Sequence, residues 1–165
     1  MTEQDFTSVV DDLLFSYNQF ILNGFLHRDV SHGVYERNRP VWNNILLGLE
    51  NNAIVGLARL LDDHRAKDFG RPFDEAELNP IREKIINIRH AHIAHLDLSV
   101  KRNMPSFLAE NQLSGSELVK MFAALQKRAL GFQKAYDFKY DVQAEFSKVT
   151  NTTLNDLAEW LKYFA

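Results

Sequence analysis

Residues 81–95 read Ile81-Arg82-Glu83-Lys84-Ile85-Ile86-Asn87-Ile88-Arg89-His90-Ala91-His92-Ile93-Ala94-His95. A helix turns by about 100° per residue, so Ile81, Ile85, Ile88, Ile93 and Leu96 gather in one broad apolar arc. Arg89 falls inside that arc, His92 follows one turn later on the same side, and His95 stands at its margin. The three basic side chains make one oblique stripe, while His90 points elsewhere. A permanently charged guanidinium on a core-facing surface needs an anion, a polar pocket or a partner chain, because an unpaired buried charge costs several kcal/mol. Breaks in local consistency of this kind tend to mark functional positions.

On both sides of this segment the apolar spacing is helical too. Phe6, Val9, Val10, Leu13, Leu14, Tyr17, Phe20 and Ile21 form a wide stripe on a first helix that ends near Asn23-Gly24 or slightly later. A polar connection from Arg28 to Arg39 leads to Pro40, whose fixed φ suits a first helical turn, and Trp42, Ile45, Leu46, Leu49, Ala53, Leu57 and Leu60 repeat the pattern. That second helix closes on Asp62-Asp63. Acids at a carboxyl end oppose the helix dipole, so the pair either serves a site or marks a hydrated helix end. His64 to Leu78 holds Gly70 and Pro72 and reads as a loop with one helical turn around Asp74 to Glu77. Asn79-Pro80 then reads as the cap and first position of the third helix, which runs to about Leu98. Ser99 to Leu113 is a crossover loop. Ser114-Gly115-Ser116-Glu117 has capping-box spacing before Leu118, Met121, Phe122, Leu125, Ala129, Phe132 and Tyr136. Asn151 to Thr153 is a candidate cap for a last helix bearing Leu154, Leu157, Ala158, Leu161 and Phe164. No stretch alternates like a half-buried strand, so the expected fold is all-α, a compact bundle of about five helices in a single domain over residues 1–165.

Composition narrows the function classes. A chain of 165 residues with 45% hydrophobic content has enough apolar material for one core. The absence of cysteine excludes disulfides, thiolate zinc sites and cysteine nucleophiles. Glu3, Asp5, Asp11 and Asp12 stand where a basic leader would, and no apolar run approaches the roughly 20 residues of a membrane span. The expectation is a cytoplasmic protein with no membrane partner. A net charge of −3 argues against a whole-surface nucleic-acid binder. Local charge is different: between Ile81 and Met104, Arg82, Lys84, Arg89, Lys101 and Arg102 outnumber Glu83 and Asp97. No Gly-x-Ser-x-Gly elbow and no glycine-rich phosphate loop is present.

At Arg89, His90 and His95 the sequence resembles the HEPN superfamily of helical-bundle proteins, whose signature is an arginine, often followed by a polar residue, with a histidine four to six positions on. The ending Ile93-Ala94-His95-Leu96-Asp97 is similar to the I-A-H-x-D ending of the AbiU-type branch, linked to abortive infection and phage defence. The resemblance implies a HEPN-like bundle acting as a metal-independent endoribonuclease of toxin or phage-defence type. It implies no cofactor, RNA as substrate, a homodimer in which two motifs meet across the two-fold, and an antitoxin or defence partner protein. It places Arg89 and His95 in the catalytic positions and His90 in the supporting polar position. The chemistry is coherent: an imidazole with a pKa near about 6.5 exchanges protons at neutral pH, and an arginine fork matches the oxygens of a crowded phosphorus. The expected product carries a 2′,3′-cyclic phosphate. His92 and Asp97 are additional candidate site residues, His92 solely through its place in the stripe. Asp97 occupies the position at which some toxins of the family carry the tyrosine modified by an adenylylating antitoxin, so the resemblance does not extend to that control. Lys101 and Arg102, just beyond the motif, are candidates for backbone phosphate contacts or are plain loop cations.

Other readings of the same residues stay open. His92 and His95, three apart on a helix, are spaced like bundle metal ligands, with Asp62 or Asp63 as partners, although no third ligand stands at diagnostic spacing. A catalytically inactive module would keep the motif for binding RNA or protein. A structural reading pairs Arg89 with a carboxylate from a neighbouring helix. Trp42, Trp160 and the phenylalanines are read as packing residues, and His27, His32 and His64 as surface residues.

Overall fold

The computed structural model describes residues 1–30, 32–62, 69–93 and 110–162; for residues 32, 91–93 and 161 it describes the backbone alone. Its described elements are six helices packed as an all-helical bundle: α1 (Glu3–Asp29), α2 (His32–Arg37), α3 (Arg39–Asp62), α4 (Leu78–Ile93), α5 (Gly115–Tyr136) and α6 (Val142–Leu161). Among the described residues no helix is long and apolar enough to cross a membrane.

Local chemistry sets most of the helix starts. Ser114 and Glu117 form a reciprocal capping box at α5, as the sequence spacing predicts, and Thr2 and Asp5 form another at α1 that the sequence reading did not name. Asp141 caps α6 through the Ala144 amide. Three expectations need correction. The polar connection after α1 holds the short helix α2, and α1 itself continues to Asp29. Helix α4 begins at Leu78, so Asn79 is not its cap. The Asn79 side chain instead clasps both the amide and the carbonyl of Phe73, which ties the preceding turn to the helix. The last helix starts at Asp141-Val142, so Asn151 to Thr153 sit in mid-helix. There Thr153 donates to Asn18 of α1 at 2.6 Å, a polar use that the cap-like composition concealed.

The main core joins Phe6, Val10, Leu13 and Leu14 of α1 to Ile54, Leu57 and Leu61 of α3, Ile81 and Ile85 of α4, and Met121, Phe122 and Leu125 of α5. Each of these side chains removes apolar area from water at about 25 cal/mol per Å², the dominant favourable contribution to folding. A second, smaller cluster holds Leu26, Trp42, Leu46 and Leu157, with Trp160 standing edge-on to Trp42 at 6.2 Å. Ile45, expected on the core stripe, is 40% exposed. Helices α1 and α3 approach most closely where Gly56 faces the fully buried Ser16: an added Cβ at Gly56 would lie 2.0 Å from the Ser16 Oγ.

The end of α3 is held with equal care. A Cβ at Gly70 would stand 2.7 Å from the Leu61 carbonyl oxygen, so the returning chain packs directly on the last turn of α3. Arg82 of α4 donates from Nη2 to Leu61 O at 3.0 Å and from Nε to Gly70 O at 3.1 Å. One guanidinium thus satisfies a helix-terminal carbonyl and locks loop, α3 and α4 together.

Candidate functional site

Helix α4 carries Arg89 and His90 of the motif, and its register is fixed from three sides. Ile81 and Ile85 are buried in the core, and Ile88 packs against it. On a second side Lys84 donates to Gln112 O at 3.2 Å and to Glu117 at 2.8 Å, and Asn87 donates to Asn111 at 3.1 Å. The Lys84 hydrogen bond, with those from the Ser114 amide and hydroxyl, holds the Glu117 carboxyl down to about 2. On the third side Arg82 grips the end of α3. Arg89 lies two turns further along and reaches the same place.

There Arg89 Nη1 donates to Asp62 Oδ2 at 2.9 Å. The Arg89 side chain is 25% exposed and that of Asp62 40%, so the pair sits at the margin of the core with solvent on one side. His90 is exposed, as expected of a residue off the stripe, but it does not point away from the cluster. Its Nε2 lies 3.5 Å from the same Asp62 oxygen. One carboxylate therefore collects a guanidinium and an imidazole from consecutive residues. The acid that opposes the α3 dipole is accounted for by these two partners.

Among the described residues the Asp62 contact is the single hydrogen bond of the Arg89 guanidinium, which leaves most of its N–H fork uncommitted. A monodentate contact of this kind anchors the group at one point and still presents donors to a second anion. Such a group can bind phosphate oxygens.

His95, Asp97, Lys101 and Arg102 lie outside the described residues, as do Asp63 and the His92 side chain. Of the sequence-derived candidates the structure therefore brings together Arg89 and His90. Among the described residues no three metal-ligating side chains gather. Arg82 escaped the sequence reading; its one signal is its place two turns before Arg89 on the same helix. Asp62 was legible as an acid misplaced at a helix carboxyl end.

Comparison with known proteins adds no relative: no family model matches the chain, and no curated protein or solved structure is significantly similar to it.

Proposed function

We propose that the chain is a metal-independent endoribonuclease of HEPN type, acting as a homodimer in toxin or phage defence with Arg89 and His95 as its catalytic residues. The observation that carries the reading is the half-buried Arg89, steadied through one N–H by Asp62 and left, among the described residues, with free donors. In this scheme a histidine takes the ribose 2′-hydroxyl proton, the 2′-oxygen attacks phosphorus, and the bond to the 5′-oxygen breaks as that oxygen receives a proton. The Arg89 fork stabilises the charge that grows on the non-bridging oxygens. Asp62 orients Arg89 and does not touch the reacting atoms. The products are a 2′,3′-cyclic phosphate and a 5′-hydroxyl.

A second reading has support from the same ion pair, because a purely structural role for Arg89 requires a carboxylate on a neighbouring helix and Asp62 is one. The two readings part in a ribonuclease assay run with a chelator. Cleavage by the wild-type chain that is lost in Arg89→Ala and in His95→Ala, with helicity retained, supports the proposal. Cleavage that needs a divalent ion, or survives both substitutions, refutes it. RNA binding without cleavage in the wild type moves the assignment to an inactive binding module, and neither binding nor cleavage moves it to the structural role.

A further inference from the structure

A groove of about 670 Å³ lies between the 71–75 turn and the outer face of α5, away from the residues of the Arg89 cluster. Its volume falls in the range of small-ligand sites. The floor is made by small residues of α5: a Cβ at Gly131 would meet nothing within 4 Å, and Ala124 and Ala135 lie along the same face. The walls combine flat rings with charge.

Tyr136 is 50% exposed yet firmly placed, because its ring stacks on Phe132 at 6.0 Å and on Phe138 at 5.4 Å, with interplanar angles of 19° and 12°. A ring held between two others keeps its exposed edge and hydroxyl fixed at low entropic cost. On the facing wall Arg128 donates to the carbonyls of Arg71 and Pro72 at 2.8 and 3.3 Å, and its guanidinium lies 3.8 Å from the centre of the Phe73 ring. Lys127 is neutralised by Glu75 at 3.1 Å. At the rim the side chains of Arg71 and Asp74 make no hydrogen bond or ion pair among the described residues, although the Asp74 charge acts on the Arg128 guanidinium. The groove thus offers an open floor, a rigid aromatic edge, and one guanidinium and one carboxylate at its rim.

We infer that this groove binds a nucleotide, its base lying on the Gly131 floor against the exposed edge of Tyr136 and its phosphate on Arg71, with Asp74 accepting from the amino or imino edge of the base. Planar ring, anion and polar edge are required together. A purely apolar ligand would leave Arg71 and Asp74 unused, and a bare phosphate would leave the floor and the ring edge unused. The inference is independent of the ribonuclease reading, since none of these residues belongs to the Arg89 cluster.

The test is equilibrium binding by the full chain, with AMP, UMP, inorganic phosphate and a labelled oligonucleotide of eight thymidines as probes. The oligonucleotide has no 2′-hydroxyl, so cleavage cannot enter the readout. Gly131→Leu fills the open floor on an exposed helix face and should fold as well as the wild type, checked by thermal melting. Nucleotide or oligonucleotide binding that falls at least tenfold in Gly131→Leu and several-fold in Arg71→Ala supports the inference. Affinity for AMP or UMP identifies a free nucleotide as the ligand, and affinity for the oligonucleotide alone identifies a strand. Binding unchanged by Gly131→Leu, no binding of any nucleotide probe, or phosphate binding as tightly as AMP overturns it.

Discussion

Replacing Arg89 by alanine separates a structural cation from one held for chemistry before any substrate is added. The Arg89–Asp62 contact is 2.9 Å long but monodentate, and the two side chains are 25% and 40% exposed. Ion pairs with that much solvent contribute below about 1 kcal/mol, because water screens the attraction and two long side chains lose freedom. For a chain of this size 1 kcal/mol corresponds to a shift in Tm of about 2–4 °C. Arg89→Ala and Asp62→Asn should therefore each lower Tm by no more than a few degrees, with a double variant close to either single one. Raising the salt from 0.1 M to 1 M should shrink even that difference, because screening by added ions weakens a solvent-exposed pair. A buried pair that carried the fold would behave otherwise: removal of one partner strands the other charge and costs about 3–5 kcal/mol. The measurement is a set of thermal melts followed by circular dichroism in low and high salt. A drop in Tm of 10 °C or more on Arg89→Ala, insensitive to salt, would refute the reasoning and assign the residue to the architecture.

Two further outcomes test how the fold carries this site. Gly56→Ala forces the Ser16 hydroxyl to turn, because the new methyl lies 2.0 Å from Oγ, and so breaks its hydrogen bond to Asp12 O. A loss of about 1–2 kcal/mol for the unsatisfied buried hydroxyl should outweigh the helix-propensity gain of about 1 kcal/mol. In a Ser16→Ala background the same substitution should become neutral or stabilising in urea titrations; an equal effect in both backgrounds would show that α1 and α3 are not in tight contact there. Glu117 titrates far below the ordinary carboxylate range, held down first by its hydrogen bond to Lys84 and then by Ser114. A depressed folded-state value means that the carboxylate's contribution is complete above about pH 5, where the unfolded chain is also ionised. It is lost as pH falls toward about 2. Glu117→Gln should thus lower stability at neutral pH and flatten its pH dependence between about pH 5 and 2, a claim that parallel slopes for the two proteins would disprove.

Periodicity made α1, α3, α4 and α5 legible, and two capping boxes are present in the structure, Ser114-x-x-Glu117 where its spacing predicts. What escaped were features whose meaning depends on a distant partner. Asn79 looks like a cap until its side chain is found on Phe73, and the Asn151–Thr153 stretch looks like a helix start until Thr153 is found on Asn18. The start of α6 was missed although Asp141 is a good cap and Val142, Phe146 and Val149 stand at the four- and three-residue steps of a helical stripe, a signal outweighed by the cap-like Asn151–Thr153 stretch. The nucleotide groove was invisible for the opposite reason: it is made by side chains too small to draw notice, and by rings whose exposure no periodicity reports.

The Arg89 cluster occupies the middle ground. The sequence displays two violations of helix rules, a carboxylate at the carboxyl end of α3 and a guanidinium within the apolar arc of α4, and the fold cancels one against the other at 2.9 Å. Cancellation alone is compatible with structure as much as with catalysis, so the pair cannot carry a functional argument by its existence. An arginine recruited to neutralise a carboxylate gains most from a bidentate fork, and Arg82 shows that α4 can commit a guanidinium, spending Nε and Nη2 on two backbone carbonyls and Nη1 on Glu83. Arg89, two turns away and aimed at the same helix end, makes one such bond and leaves the rest of its fork free among the described residues. Among the described residues the same helix thus carries one arginine consumed by the fold and one with donors to spare, and a guanidinium in that state has the chemistry to bind a phosphate oxygen.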